Sequence, residues 1–284
     1  MRIALALCLM LPLIGSAQTG PAVVLKPVAN MHSQPTADAD VVSQAILGTP
    51  LLVLKESAGW GKVETPDRYS GWMEAACFRV LRDGEAAYAS SGRVAHVESL
   101  FANLYREPDA ARHAPVLTVP FETRLEVTAD PGERWIRIGL PDGRLAWVQR
   151  GDVSFAPARL TAAELPAFGK RFLGLPYLWG GTSTFGYDCS GFVQMLYRRL
   201  GVTLPRDAQP QADWDGFAAV KREELQPGDL VYFGEPGHRI THTAMYLGGG
   251  EFISATTHEH PRVRIGRLDD AHWSRLFVAA RRLK

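Results

Sequence analysis

The sequence predicts an α+β domain preceded by two small β-barrels, and three observations predict it. The first half of the chain repeats. Asn30-Met31-His32-Ser33-Gln34-Pro35 returns as Asn103-Leu104-Tyr105-Arg106-Glu107-Pro108, an offset of 73. Leu52-Val53-Leu54, Trp60-Gly61-Lys62-Val63 and Gly71-Trp72-Met73 return as Leu125-Glu126-Val127, Trp135-Ile136-Arg137-Ile138 and Ala146-Trp147-Val148, with the offset grown to 75 at the tryptophans. Second, these segments are short, alternate in polarity and are parted by Gly, Pro and Asp turns, which is the pattern of a small barrel; two copies mean two barrels. Third, the pattern changes after residue 160. Phe192, Val193, Leu196, Tyr197 and Leu200 fall at helical spacing, with Arg198 and Arg199 in the last turn and Gly201 as the stop. A strand-like run, 241–247, then reaches Gly248-Gly249-Gly250 and returns over 251–255 as a hairpin. The expected domains are 20–82, 93–156 and 160–284. The breaks fall in the small, polar stretch Arg82 to Gly92 and near Ala156 to Leu160, and linkers this short favour a compact body.

A composition 46% hydrophobic and 21% charged, with a net charge of +1, suffices for packed cores and is too balanced for a nucleic-acid footprint. Met1-Arg2, the apolar run Ile3 to Ile14 and Gly15-Ser16-Ala17 read as a secretory signal over residues 1–17. That run is too short for a membrane span, and nothing later approaches the roughly 20 apolar residues one requires. Cys8 lies too early in the run for a lipidation cysteine. The expectation is a secreted, periplasmic monomer that begins near Gln18 and retains Cys77 and Cys189. An oxidising compartment permits a disulfide between them, but Cys77, in Trp72-Met73-Glu74-Ala75-Ala76-Cys77-Phe78, reads as a core filler beside a strand.

The chemistry centres on Gly186-Tyr187-Asp188-Cys189-Ser190-Gly191-Phe192, which puts a cysteine where the amphipathic helix begins. Most free cysteines are small core residues. One at the positive end of a helix dipole is instead expected to favour thiolate over thiol. The hairpin supplies His242, and a helix-borne cysteine facing a strand-borne imidazole is a nucleophile with its base. No histidine or cysteine spacing fits a metal: His258-Glu259-His260 and His272 match neither the two-His-plus-Glu helix signature nor paired Cys-x-x-Cys. His260, before Pro261, reads as a solvated loop residue. The glycines at 180, 181 and 248–250 read as turns with no phosphate-cradling pattern. No cofactor is expected.

Tyr177-Leu178-Trp179-Gly180-Gly181, Tyr187 to Phe192, Leu204-Pro205-Arg206-Asp207, Gln226-Pro227-Gly228-Asp229-Leu230 and Thr241-His242 through Leu247-Gly248 resemble the successive blocks of the NlpC/P60 cysteine peptidases, over roughly residues 160–284. The resemblance implies a papain-like α+β domain that cleaves peptidoglycan stem peptides between D-glutamate, through its γ-carboxyl, and a diamino acid. It makes Cys189 the nucleophile, His242 the general base and acid, and Tyr177 an oxyanion donor, whose bland alternative is a packing aromatic. The family's third polar residue, usually a histidine twelve positions after the catalytic one, is here Ser254. If Leu247 faces Glu251 across the turn, Ala244 faces Ser254, and Ser254 shares a face with His242, as does His258. The third role is open between Ser254 and His258, and loss of the usual histidine would weaken rather than abolish such a site.

The two barrels resemble bacterial SH3 domains, and the combination resembles γ-D-glutamyl-L-diamino acid endopeptidases that process free, trimmed wall peptides. The resemblance implies that the first barrel walls off the cleft, so that only substrates with a free N-terminal L-alanine enter. Asp207 would hold the amine, with a helix N-cap as its alternative role, and Tyr69 would complete the site, with a surface turn aromatic as its alternative. The acidic partner expected from the first barrel has no clear equivalent, Gln34 being a weak candidate. Asp188 and Ser190 flank the nucleophile and either touch substrate or fix the helix start. Peptidoglycan-derived peptides are the expected partners. The alternatives are an endopeptidase on intact wall, an amidase or acyltransferase on the same scaffold, and a wall-binding protein without catalysis.

Overall fold

A computed structural model describes residues 19–284 apart from Glu133, Pro236 and His238. The signal segment expected over 1–17, with Cys8, lies outside the described residues. The repeat folds into two seven-stranded antiparallel sheets with the same strand order. In the first the order is Val41–Ile46, Val28–His32, Ser70–Glu74, Trp60–Glu64, Pro50–Ser57, Gly20–Val24, Phe78–Val80; in the second it is Leu117–Pro120, Phe101–Tyr105, Leu145–Gln149, Trp135–Gly139, Arg124–Ala129, Val94–Val97, Val153–Ser154. Alternation decides what each strand buries: Gly61 and Val63 point inward while Trp60, Lys62 and Glu64 face out. Each sheet encloses its own core, Met31, Val53, Val63 and Met73 in the first and Leu104, Leu125, Ile136 and Val148 in the second.

The stretch Arg82 to Gly92, expected as a polar linker, is a wedge between the barrels. Tyr88 and Ala89 are buried beside Val23, and the Tyr88 hydroxyl donates to the Gly139 carbonyl at 2.7 Å. Leu47, in a turn of the first barrel, joins the core of the second and is 2% exposed. Composition marks such a stretch as loop but carries no information about the surface it meets.

The third domain is a six-stranded antiparallel sheet in the order Phe217–Val220, Phe277–Leu283, Leu230–Phe233, His242–Gly248, Glu251–Thr256, Arg262–Arg267. The helix Cys189–Arg198 shares a core with Met245, Ile253 and Ala255 of this sheet. Phe192 and Leu196 are fully buried there, each worth about 1.5–3 kcal/mol of burial. Past Arg198 the chain turns at Gly201, whose φ of +78° is the conformation glycine adopts without strain. A separate cluster of Val231, Phe233, Ala244, Phe252 and Trp273 packs together with residues of the same sheet. Phe121 of the second barrel enters the helix's core through edge contacts with Phe172, so the domains share apolar surface. In the hairpin Met245 faces Ile253 and Tyr246 faces Phe252, the expected register, but an irregularity at the turn sets Gly248 rather than Leu247 opposite Glu251.

Leu47→Ala is expected to lose about 2–5 kcal/mol of stability in urea unfolding, because it empties a cavity in the neighbouring barrel's core. Leu52→Ala, at a site 41% exposed, is expected to stay within about 0.5 kcal/mol.

Candidate active site

The start of the helix is built around Asp188, which adopts extended backbone and accepts a hydrogen bond from the Gly191 N–H at 2.7 Å, a side-chain N-cap. Only glycine fits at 191: a Cβ there would lie 2.2 Å from the Gly181 carbonyl oxygen. Arg206, 2% exposed, completes the corner. Its guanidinium donates to both Asp188 carboxylate oxygens, at 3.0 and 2.6 Å, to Ser190 Oγ at 3.0 Å and to Ser43 Oγ of the first barrel at 3.0 Å. The side chains of Asp188 and Ser190 both take part in the bonds that fix the helix start.

Cys189 is buried at that start. Its thiol faces the Thr241 carbonyl at 4.0 Å, so the sulfur lies against the backbone beside His242. Burial pushes the thiol up, to about 12, and the Asp188 carboxylate acts in the same direction. Desolvation thus acts against the expected thiolate, in opposition to the helix dipole. Burial likewise pulls His242 down, to about 3, with His272 and His258 acting the same way. Each charge alone is disfavoured.

Ser254 Oγ lies 3.1 Å from His242 Nε2. His258 does not meet that nitrogen. Its ring stacks on His272 with centroids 3.9 Å apart, and both rings stand edge-on to Trp273, which in turn packs 5.0 Å from the His242 ring. Between the two candidates, the contact belongs to Ser254. Trp273 escaped the sequence reading because it lies 31 residues beyond His242 and only the closed sheet brings the two together.

Tyr177 is half-buried, and burial followed by the neighbouring Cys189 holds its phenol well above the ordinary range, so it remains a hydrogen-bond donor. Asp207 sits at the N-cap position of Ala208–Ala212, yet its side chain makes no cap bond, which leaves the carboxylate to other uses. Burial raises it, opposed by Arg206 and reinforced by Asp188. Tyr69 of the first barrel is raised by burial and then by Asp207, which places the two in one electrostatic neighbourhood across the domain junction. Gln34 is exposed and stands apart from them. The acidic side chain that the first barrel does bring is Asp67, which acts on both Tyr69 and Asp207 and which the sequence reading missed. The one available signal was an acid two positions before Tyr69. Cys77 and Cys189 are both free thiols. Among the described residues, no three His, Cys, Asp or Glu side chains come together in a way that would hold a metal ion.

Comparison with known proteins places this geometry. Residues 174–282 match the model of the NlpC/P60 family, and residues 31–76 match that of the bacterial dipeptidyl-peptidase Sh3 domain. A gamma-D-glutamyl-L-lysine dipeptidyl-peptidase of Bacillus cereus is 34% identical over 255 residues, covering 84% of this chain and 74% of that protein. Its namesake in Bacillus subtilis is 29% identical over 232 residues, covering 76% and 72%. The crystal structure of an NlpC/P60 family protein from Bacillus cereus superposes with a TM-score of 0.79 at 28% identity, covering 93% of this chain and 99% of that one.

Alkylation of Cys189 by iodoacetamide, followed in a Cys77→Ser background, is expected to keep accelerating up to about pH 10, because a thiol raised by burial stays protonated through the neutral range. A plateau below about pH 8 would mean that the helix start outweighs burial.

Proposed function

The chain belongs to the NlpC/P60 family, and on that premise we propose that it hydrolyses the bond between γ-D-glutamate and a diamino acid in peptidoglycan peptides that carry a free N-terminal L-alanine. It is a hydrolase of the cysteine endopeptidase type. The observation that supports the substrate reading is that Asp207, next to the Arg206 that binds Asp188 before the nucleophile, acts electrostatically on Tyr69 of the first barrel. A free ammonium entering there finds a carboxylate and a phenol, whereas an extended peptide must bury an amide against them.

In the proposed mechanism His242 carries its proton on Nε2 and donates it to Ser254 Oγ, which leaves Nδ1 to take the proton of Cys189. Sγ attacks the γ-glutamyl carbonyl carbon. The Tyr177 hydroxyl and a backbone N–H at the helix start stabilise the oxyanion as it forms. The imidazolium then protonates the leaving amine, the C–N bond breaks and a thioester remains. Water, deprotonated by His242, attacks the thioester, releases the L-Ala-D-Glu acid and returns the proton to Cys189. Ser254 holds the imidazole plane, the role a third histidine would otherwise fill.

No helix of the described residues is long and apolar enough to cross a membrane. Cell-wall hydrolysis is extracellular work, and with the signal-like residues 1–17 the reading extends to export into a periplasm and action as a monomer.

The deciding experiment is mass-spectrometric cleavage of L-Ala-γ-D-Glu-diaminopimelate beside its N-acetylated form, with Cys189→Ala as control. Release of L-Ala-D-Glu from the free amine alone is expected. Cleavage of both would remove the amine requirement, and cleavage of neither would remove the peptidase reading. Ser254→Ala is expected to lower kcat about tenfold with KM little changed, and His258→Ala to leave kcat within about threefold, because only the first removes a bond to His242. Since Asp207 must be ionised to hold an ammonium and its pKa is raised, KM is expected to climb as pH falls while still above the ordinary value of 3.8. Asp207→Asn should abolish that dependence.

A further inference from the structure

We infer that Gln194 is the positioning residue that sets the spacing between the two halves of the amine site, and thereby the preference for a free N-terminus. The inference rests on the reading of Tyr69 and Asp207 as that site. Gln194 lies on the nucleophile's helix and is 3% exposed. Its amide nitrogen donates to Asp67 Oδ2 at 2.8 Å and to the Leu204 carbonyl at 2.9 Å, while its amide oxygen accepts from Arg198 Nη1 at 3.3 Å. These three bonds leave the side chain one orientation.

Each of the two acceptors leads to one half of the site. On the barrel side, Asp67 Oδ1 accepts from Thr65 Oγ1 at 2.5 Å, and the same hydroxyl also donates to the Tyr69 carbonyl at 3.1 Å. The Thr65 N–H closes the loop on that carbonyl at 3.0 Å. Holding Asp67 therefore holds Tyr69. On the other side, Leu204 stands three residues before Asp207, with Pro205 and the immobilised Arg206 between them. One side chain thus clasps the Thr65–Tyr69 turn of the first barrel to the Leu204–Asp207 segment, beside the tie that Arg206 makes to Ser43.

A cavity of about 390 Å³, bordered by Asp67, Thr65, Gln194, Arg198 and Glu122, opens at the back of this clasp. Neither Cys189 nor His242 lines that cavity. A loop released from Gln194 has room to retreat into it. Gln194 also sits five residues along the helix from Cys189, about 140° around its axis at 3.6 residues per turn, so the clasp faces away from the reacting sulfur. Its loss should act on binding and leave the nucleophile alone.

The test measures two quantities. Calorimetric binding of L-Ala-D-Glu to the full chain in a Cys189→Ala background is compared with the alkylation rate of Cys189 in the otherwise native chain. Gln194→Met is expected to weaken dipeptide binding at least tenfold and to leave alkylation within twofold. Gln194→Glu alone sets two carboxylates together and is expected to be worse; combined with Asp67→Asn it remakes the bond to the barrel, though not the one to the Leu204 carbonyl, and is expected to bind the dipeptide at least threefold better than Gln194→Glu alone. Unchanged binding in Gln194→Met, alkylation falling in step with binding, or no recovery in the double variant would overturn the inference. If the parent chain binds no dipeptide while Cys189 alkylates normally, the amine-site reading itself fails, and this inference with it. Binding in the parent without cleavage of the tripeptide would sink the peptidase reading and leave the clasp to be judged on affinity.

Discussion

Most of the site depends on the buried ion pair between Arg206 and Asp188. Desolvating two charges costs several kcal/mol each, which good geometry and a full set of hydrogen bonds can offset. Here Arg206 meets Asp188 through both carboxylate oxygens and gives two further donors to Ser190 and Ser43. Asp188 in turn caps the helix that begins at Cys189. One guanidinium therefore orients the nucleophile's helix, ties that corner to the first barrel and fixes the backbone immediately before Asp207. Replacing either partner would strand a buried charge, which is worth about 3–5 kcal/mol.

The far end of the same helix is held in the same manner by the second barrel. Arg198 pairs with Glu122 at 2.6 Å and Arg199 with Glu98 at 2.9 Å. Cations in the last turn also complement the helix dipole. The helix is thus strapped at its start to one barrel and at its end to the other, and Phe121 adds an apolar contact between the straps. The barrels thus help fix the helix that carries Cys189, and the Bacillus cereus structure superposes over 93% of this chain, barrels included.

The electrostatics of the pair follow from this enclosure. Cys189 is enclosed by Asp188 and the strand that carries Thr241, and burial disfavours the charged form of the thiol and of the His242 imidazole alike. Trp273 screens the imidazole on one face and Ser254 meets its far nitrogen. A short hydroxyl suffices there because strand alternation already brings it within 3.1 Å of the ring.

The sequence by itself determined the repeat, the helix from Cys189 with its stop at Gly201, the hairpin that carries His242, and the family to which they belong. These are local or periodic properties: a 3.6-residue or two-residue repeat and a run of ordered blocks are written into neighbouring positions. Even the hairpin register was legible except at its glycine turn, where an irregularity shifts one pairing. What only the tertiary structure decided are contacts between residues far apart in the chain. Ser254 over His258, Asp67 in place of Gln34, Tyr88 as a wedge, and the bonds that Arg206 and Gln194 make across domains have no periodic signature, because any polar side chain could have ended opposite another. The protonation of Cys189 belongs to the same class. Its place at a helix start is a sequence property, but its charge depends on what covers it, and the packing of strands far along the chain supplies that cover.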